Sequence, residues 1–178
     1  MSSSATVTVR SALRRFRRNR RGSAAVEFAL VAPIFFALLF AIIETAIIFF
    51  ASQVLETITQ DSARMIMTGQ AQTASYTQTQ FKTFLCGKIP ALFNCADLYV
   101  DVQSYSDFAS VAIVDPIDAA RNFVPVSNYV PGNAGDIVVI RVFYQWPLFV
   151  TGLGYNISNL AGSKRLLTAT AAFRNEPY

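Results

Sequence analysis

The residues whose types and spacing could carry chemistry lie at one junction and in one pair of cysteines. The junction reads Arg20-Arg21-Gly22-Ser23-Ala24-Ala25-Val26-Glu27-Phe28. Glycine leaves the peptide bond after it unhindered, so Gly22–Ser23 suits a proteolytic cut at a membrane face. A cut there would create a positive α-amine on Ser23, with Glu27 one helical turn along or beside the amine of an adjacent subunit. Either pairing would neutralise a carboxylate that is costly to bury among packed apolar helices. A second acid, Glu44, falls in the outer third of the apolar segment that follows. It is expected to reach the outer interface or to meet a polar group on a partner helix. Cys86 and Cys95, which flank eight residues, are the only cysteines. Catalytic chemistry finds little support. The chain has no histidine, so the usual general base is missing, and no phosphate-binding glycine loop or HExxH pattern occurs. Asp115-Pro116 and Asp118 form an acidic loop that is either solvated or a weak cation site. The expectation is a protein that is not an enzyme and holds no cofactor or metal.

The elements that must position these residues begin with a charge asymmetry. The net charge of +4 conceals a leader, residues 1–21, with seven arginines and no acid. The remainder carries eight basic and eleven acidic side chains, a net of −3. A polybasic tail can bind nucleic acid or anionic lipid, or fix membrane topology. The remaining basic residues are scattered rather than gathered with aromatics on one surface, which argues against a nucleic-acid partner. Phe28–Ile43 is sixteen residues without a polar side chain, about 24 Å of helix. Continuing through Glu44 and Thr45 to Ala51 gives about 36 Å, enough for a hydrocarbon core of about 30 Å. A secretory h-region is shorter and ends in an A-x-A-like cleavage site, and Phe49-Phe50-Ala51-Ser52 offers none. A twin-arginine signal at Arg14-Arg15-Phe16 fits poorly with so apolar a span. A mitochondrial transit peptide would not explain a basic run that stops at a glycine before a full span. The reading is a retained single-pass anchor, about residues 28–51. Arg14, Arg15, Arg17, Arg18, Arg20 and Arg21 set its topology, with the N-terminus in the cytoplasm and residues 52–178 outside.

Beyond Ala51 the apolar residues Val54, Leu55, Ile58, Met65 and Ile66 keep helical spacing. Gln60 and Asp61 are placed to meet Arg64, and Gly69 is a natural stop. This predicts one helix over residues 23–68, loosened or kinked at Pro33. Small residues at Ala24, Ala25, Ala29, Ala32, Ala37 and Ala41 would let neighbouring helices approach closely. Gln70–Gln80, uncharged and rich in Gln, Thr, Ser and Ala, reads as a connector. Thr77 and Gln80 have capping-box spacing for a short helix ending near Cys86. Strands are predicted at Asp97–Tyr105, Ile137–Trp146 and Leu166–Phe173, with turns at Pro131-Gly132-Asn133 and Gly152-Leu153-Gly154. In the first strand Leu98, Val100 and Val102 alternate with a polar face, Asp101 and Gln103. The predicted organisation is a leader (1–22), a transmembrane and stalk helix (23–69), a connector (70–80) and an extracytoplasmic module (81–178). The fold class is α+β: a long N-terminal transmembrane helix extending outside the membrane, then a small antiparallel sheet. Tyr144, Trp146 and Phe149 are expected to close the small core. Arg174 and Glu176 suggest a local ion pair of little energetic weight.

Glycine at −1, Glu27 at +5 and the aromatic Phe28 at +6 resemble the type IV prepilin junction in the form used by tight-adherence (Flp) pili. The large extracytoplasmic part resembles the TadE-like pseudopilins rather than the short major pilins, which favour Tyr at +6. The resemblance continues through Ile43-Glu44-Thr45, the cysteine pair with Asp97-Leu98-Tyr99-Val100-Asp101-Val102-Gln103, and Ala172-Phe173-Arg174-Asn175-Glu176-Pro177-Tyr178. It implies cleavage by an aspartyl prepilin peptidase and a part in assembling adhesive fibres, as a pseudopilin or minor pilin. The implied partners are the peptidase, other pilins and pseudopilins, and the assembly platform of the inner (cytoplasmic) membrane, with the module periplasmic. An uncleaved, signal-anchored periplasmic scaffold of a secretion system is the alternative. Two thiols without histidine make a poor zinc site, and the spacing is not the C-x-x-C of redox pairs. Outside the cytoplasm a Cys86–Cys95 disulfide is expected, contributing about 2–3 kcal/mol.

Overall fold

The apolar run and the three-and-four pattern that follows it form one helix. In a computed structural model, which describes residues 22–89, 92–152 and 155–178, α1 runs from Ser23 to Met67 without a break at Pro33. The chain divides into two units, residues 1–42 and 43–178. In the first, the helical side chains Val26, Phe28, Leu30, Val31, Ile34, Phe35, Leu38 and Phe40 are exposed. The helix is long and apolar enough to cross a membrane, and so bare an apolar surface is what a lipid-facing segment presents. The leader arginines lie outside the described residues.

In the second unit α1 turns amphipathic. Glu44, Ile48, Ala51, Leu55, Ile58, Thr59, Ser62, Ala63 and Ile66 are buried, a stripe at helical spacing. The Thr59 hydroxyl donates to the Leu55 carbonyl at 2.8 Å, which makes its burial tolerable. The predicted Gln60 and Asp61 partnerships with Arg64 are replaced by others. Gln60 donates to Glu56 at 3.1 Å, and Asp61 pairs with Lys88 at 3.5 Å. Gly69 ends the helix in the left-handed region (φ 74°). The supposed connector holds one further helical turn, α2 (Gln70–Thr73). The next helix, α3 (Gln78–Lys88), starts at Thr77. The Thr77 hydroxyl accepts from the Gln80 N–H and the Gln80 side chain accepts from the Thr77 N–H, a full capping box. Cys86, in its last turn, is disulfide-bonded to Cys95 across a Cα–Cα distance of 5.7 Å.

Three strands follow: β1 (Leu98–Tyr105), β2 (Ile137–Pro147) and β3 (Lys164–Arg174). They form an antiparallel sheet in the order β1-β2-β3. Alternation sends Leu98, Val100, Val102, Val138, Ile140, Val142, Leu167, Ala169 and Ala171 into one core with the α1 stripe and with Phe81 and Leu85 of α3. The other face is also covered. Phe143, Leu160 and Leu166 are buried there, with Tyr99, Ile117 and Phe123 packed on them. The segments between strands supply this second layer, so β2 is buried over eight consecutive residues, Ile137–Tyr144. The fold is α+β: one long apolar N-terminal helix and a small three-stranded antiparallel sheet.

The C-terminal tail returns to the end of α1. The Glu176 N–H donates to the Met67 carbonyl at 2.9 Å. Asn175 is buried and donates to the Pro131 and Asn133 carbonyls at 2.9 and 3.0 Å. A Cβ added at Gly69 would sit 2.3 Å from the Tyr178 ring, so this glycine serves both the turn and the tail's approach.

Candidate functional site

At the N-terminal junction, Gly22 is exposed and a Cβ built on it would meet nothing within 4 Å. Ser23 opens α1. Glu27, four residues on, is exposed, and so is Phe28 beside it. The spacing places Ser23 and Glu27 one turn apart on the same helical face. The site is therefore an accessible peptide bond at a helix start, with a carboxylate one turn inside. The flanking Arg14, Arg15, Arg17, Arg18, Arg20 and Arg21 fall outside the described residues.

Glu44 differs from expectation. It is buried, and its partners belong to its own chain. Its Oε1 accepts from the Phe149 N–H at 2.5 Å, and both carboxyl oxygens accept from the Val150 N–H, at 3.3 and 3.2 Å. The next residue, Thr45, bonds through its hydroxyl to that of Tyr155. The segment after β2 thus closes on α1 around this acid, which sequence spacing alone could not show because the partners are 105 and 106 residues away. The same segment corrects the aromatic reading. Phe93 packs on Tyr144 and Trp146 at ring distances of 5.0 and 5.9 Å, while Phe149 is 85% exposed. Two of the three expected aromatics close the core, Phe93 is the one overlooked, and Phe149 stands outside.

The polar face expected on β1 is present but covered. Asp101 is buried opposite Arg141 in the register of β1 and β2. Arg141 donates twice to Asp101 Oδ2, at 2.8 and 3.2 Å, and once to the Val114 carbonyl at 2.7 Å. Asn128 donates to Oδ1 from its backbone and side chain, at 3.1 and 2.8 Å, and Gln103 donates to Oδ2 at 2.9 Å. Burial disfavours the charged carboxyl. The hydrogen bonds from Arg141, Asn128 and Gln103 outweigh that and hold Asp101 below the ordinary aspartate value. One sequence signal was available: Arg141 is the lone charge within Ile137–Trp146, and a cation in so apolar a strand needs a buried partner.

The remaining acidic residues shape loops. Asp115 accepts from the Ile117 N–H at 2.9 Å, and Asp118 accepts from the backbone and side chain of Asn122 at 2.7 and 3.1 Å. Those bonds hold the Asp118 carboxyl below its ordinary value. Among the described residues no three His, Cys, Asp or Glu come together as a metal group. Arg174 donates to the Gly135 carbonyl at 2.8 Å, and the ion pairs among the described residues are Lys88–Asp61 and Arg141–Asp101 rather than Arg174–Glu176.

Comparison with protein families finds that residues 22–64 match the TadE-like protein family. Comparisons with curated proteins and with solved structures give no match. The matched segment begins at the junction glycine and ends inside α1, so it contains Gly22, Ser23, Glu27, Phe28 and Glu44. The match suggests a pilin-like protein associated with the tight-adherence pilus, and the apolar helix is consistent with a single-pass membrane anchor. Residues 22–64, about a quarter of the chain, are thus similar to the TadE-like protein family.

Proposed function

We propose that this chain is a TadE-like pseudopilin, or minor pilin, that contributes to assembling tight-adherence (Flp, type IVb) pili after a prepilin peptidase cuts at Gly22–Ser23. The observation that carries the reading is the coincidence of the family match with the junction: it begins at Gly22 and runs along the apolar helix. The cut removes the arginines and leaves side chains summing to −3. The new amine of Ser23, or that of a neighbouring subunit, then satisfies Glu27. The leader faces the cytoplasm by the positive-inside rule, and the module is periplasmic, anchored to the inner membrane. Its partners are the peptidase, other pilins and pseudopilins, and the assembly platform. It acts through helix packing, with small residues such as Ala29 and Ala32 on its surface, and not as an enzyme.

Mass spectrometry of membrane-extracted protein tests the reading. The expected mature N-terminus is Ser23, dependent on a prepilin peptidase, and Gly22→Arg blocks its formation. A leader retained in cells with an active peptidase overturns the reading and favours an uncleaved periplasmic scaffold.

A further inference from the structure

The segment after β2 places a large apolar side chain beside a helix that is read as crossing a membrane. Phe149 is 85% exposed, yet its N–H and those of its two neighbours all donate to acceptors within the protein. The Leu148 N–H donates to the Ser163 carbonyl at 2.9 Å, and the Phe149 and Val150 N–H groups donate to Glu44. Three consecutive amides, of the buried Leu148, the exposed Phe149 and the half-buried Val150, therefore have protein acceptors. At the edge of a hydrocarbon core every backbone donor must find an acceptor inside the protein, and these three meet that requirement. The level on α1 is informative too. Glu44 and Thr45, which hold this loop through Phe149, Val150 and Tyr155, lie within the apolar run and before Phe49 and Phe50, which are 71% and 63% exposed. The exposed Lys164 pairs with Pro147 in the strand register, at the same end of the sheet. An exposed phenyl ring can enter the acyl boundary while a lysine at the same end of the sheet meets the headgroups.

We propose that the loop at residues 148–150, led by Phe149, is a membrane-interface anchor that docks the module onto the bilayer from which α1 emerges. Glu44 makes this possible by accepting the loop's amides where water is scarce. A lipid surface is the partner chosen because the satisfied amides and the exposed ring sit at Glu44 and Thr45, residues of α1 that fall within the predicted span.

This inference rests on reading α1 as membrane-spanning, so the test probes both. Trp146 is the sole tryptophan, so Trp146→Phe gives a silent full-length background for single reporters at Ile34, Phe149 and Phe108. Each is reconstituted into phosphatidylcholine–phosphatidylglycerol vesicles containing lipids brominated either near the acyl-chain midpoint or near its carboxyl end. Phe108 follows β1 at the opposite end of the sheet from Pro147. The expected result is loss of most emission for Ile34→Trp with midpoint bromine and for Phe149→Trp with carboxyl-end bromine, and no loss for Phe108→Trp. Quenching at Ile34 without quenching at Phe149 overturns the anchor and leaves the spanning helix standing. Blue-shifted Phe149→Trp emission that depends on protein density and resists bromine also overturns it, by assigning the ring to a second copy. Equal quenching at Phe108 overturns it as non-specific adsorption. No quenching at Ile34 removes the spanning helix and the anchor with it.

Discussion

Replacing Arg141 with methionine should be among the most damaging single changes in the sheet. Both side chains of the Asp101–Arg141 pair are almost wholly buried, 1% and 5% exposed. Methionine keeps much of the arginine's apolar stem but withdraws two hydrogen bonds from Asp101 and one from the Val114 carbonyl. Removing one partner of a buried pair strands the other, at about 3–5 kcal/mol. A loss of about 3 kcal/mol is roughly a hundredfold in the folding equilibrium. The double variant Asp101→Leu/Arg141→Met should recover much of that, because buried pairs replaced by apolar residues are often near neutral. What remains should be about 1 kcal/mol for each orphaned partner, chiefly Asn128 and the Val114 carbonyl. Urea unfolding of the detergent-solubilised full chain, followed through Trp146, measures all three variants with the parent. The pH dependence supplies an internal control. The folded carboxyl sits below its ordinary value, so its contribution is complete above the unfolded pKa of about 3.9 and fades as pH falls through the lower folded value. That part of the acid slope should vanish in the double variant. A single-variant loss under about 1 kcal/mol, or strictly additive losses, would refute the argument from burial.

Four further outcomes follow from the same structure. Glu44→Leu should leave the Phe149 and Val150 amides without their acceptor, costing about 1–3 kcal/mol for each unsatisfied group. Hydrogen exchange should show faster protection loss at those two amides, with Glu44→Gln milder. Gly69→Ala combines a left-handed backbone with a clash against Tyr178, so thermal unfolding should register more than the ~1 kcal/mol of an ordinary glycine replacement. Reduction, or replacement of both cysteines by serine, should lower stability by about 2–3 kcal/mol, and thiol labelling of the unreduced protein should find neither cysteine reactive. Thr77→Ala removes the acceptor of the α3 capping box and should cost about 1 kcal/mol.

The elements were legible wherever the chain repeats a local rule. The apolar run before Thr68, the Thr77/Gln80 spacing and the β-branched run at Ile137–Trp146 each imply their element without outside help. What escaped was everything decided by docked loops. Asp101 and Gln103 read simply as a polar face, because alternation reveals that a strand has two faces but not whether the second is covered. Segments without periodicity, around Ile117, Phe123 and Leu160, do the covering. Glu44 escaped for the same reason. A carboxyl in an apolar helix announces that it needs donors, but the donors are backbone amides, which every residue possesses. Phe149 shows the converse error, since an aromatic beside Tyr144 and Trp146 was assigned to the core that those two share with Phe93. The junction of Gly22 and Glu27 was the most readable site because its meaning is contained in nine consecutive residues.

The return of the tail to Met67 has a consequence for how the second unit bears load. It is fastened to its own stretch of α1 at two stations: the loop at Glu44 and the Glu176–Met67 bond. They stand 23 residues apart, about 34 Å of helix. Fastening at one station would let a pull along the helix peel the sheet away bond by bond. With two, tension along the axis is shared between both ends and the core between them, so the attachment resists as a lap joint in shear.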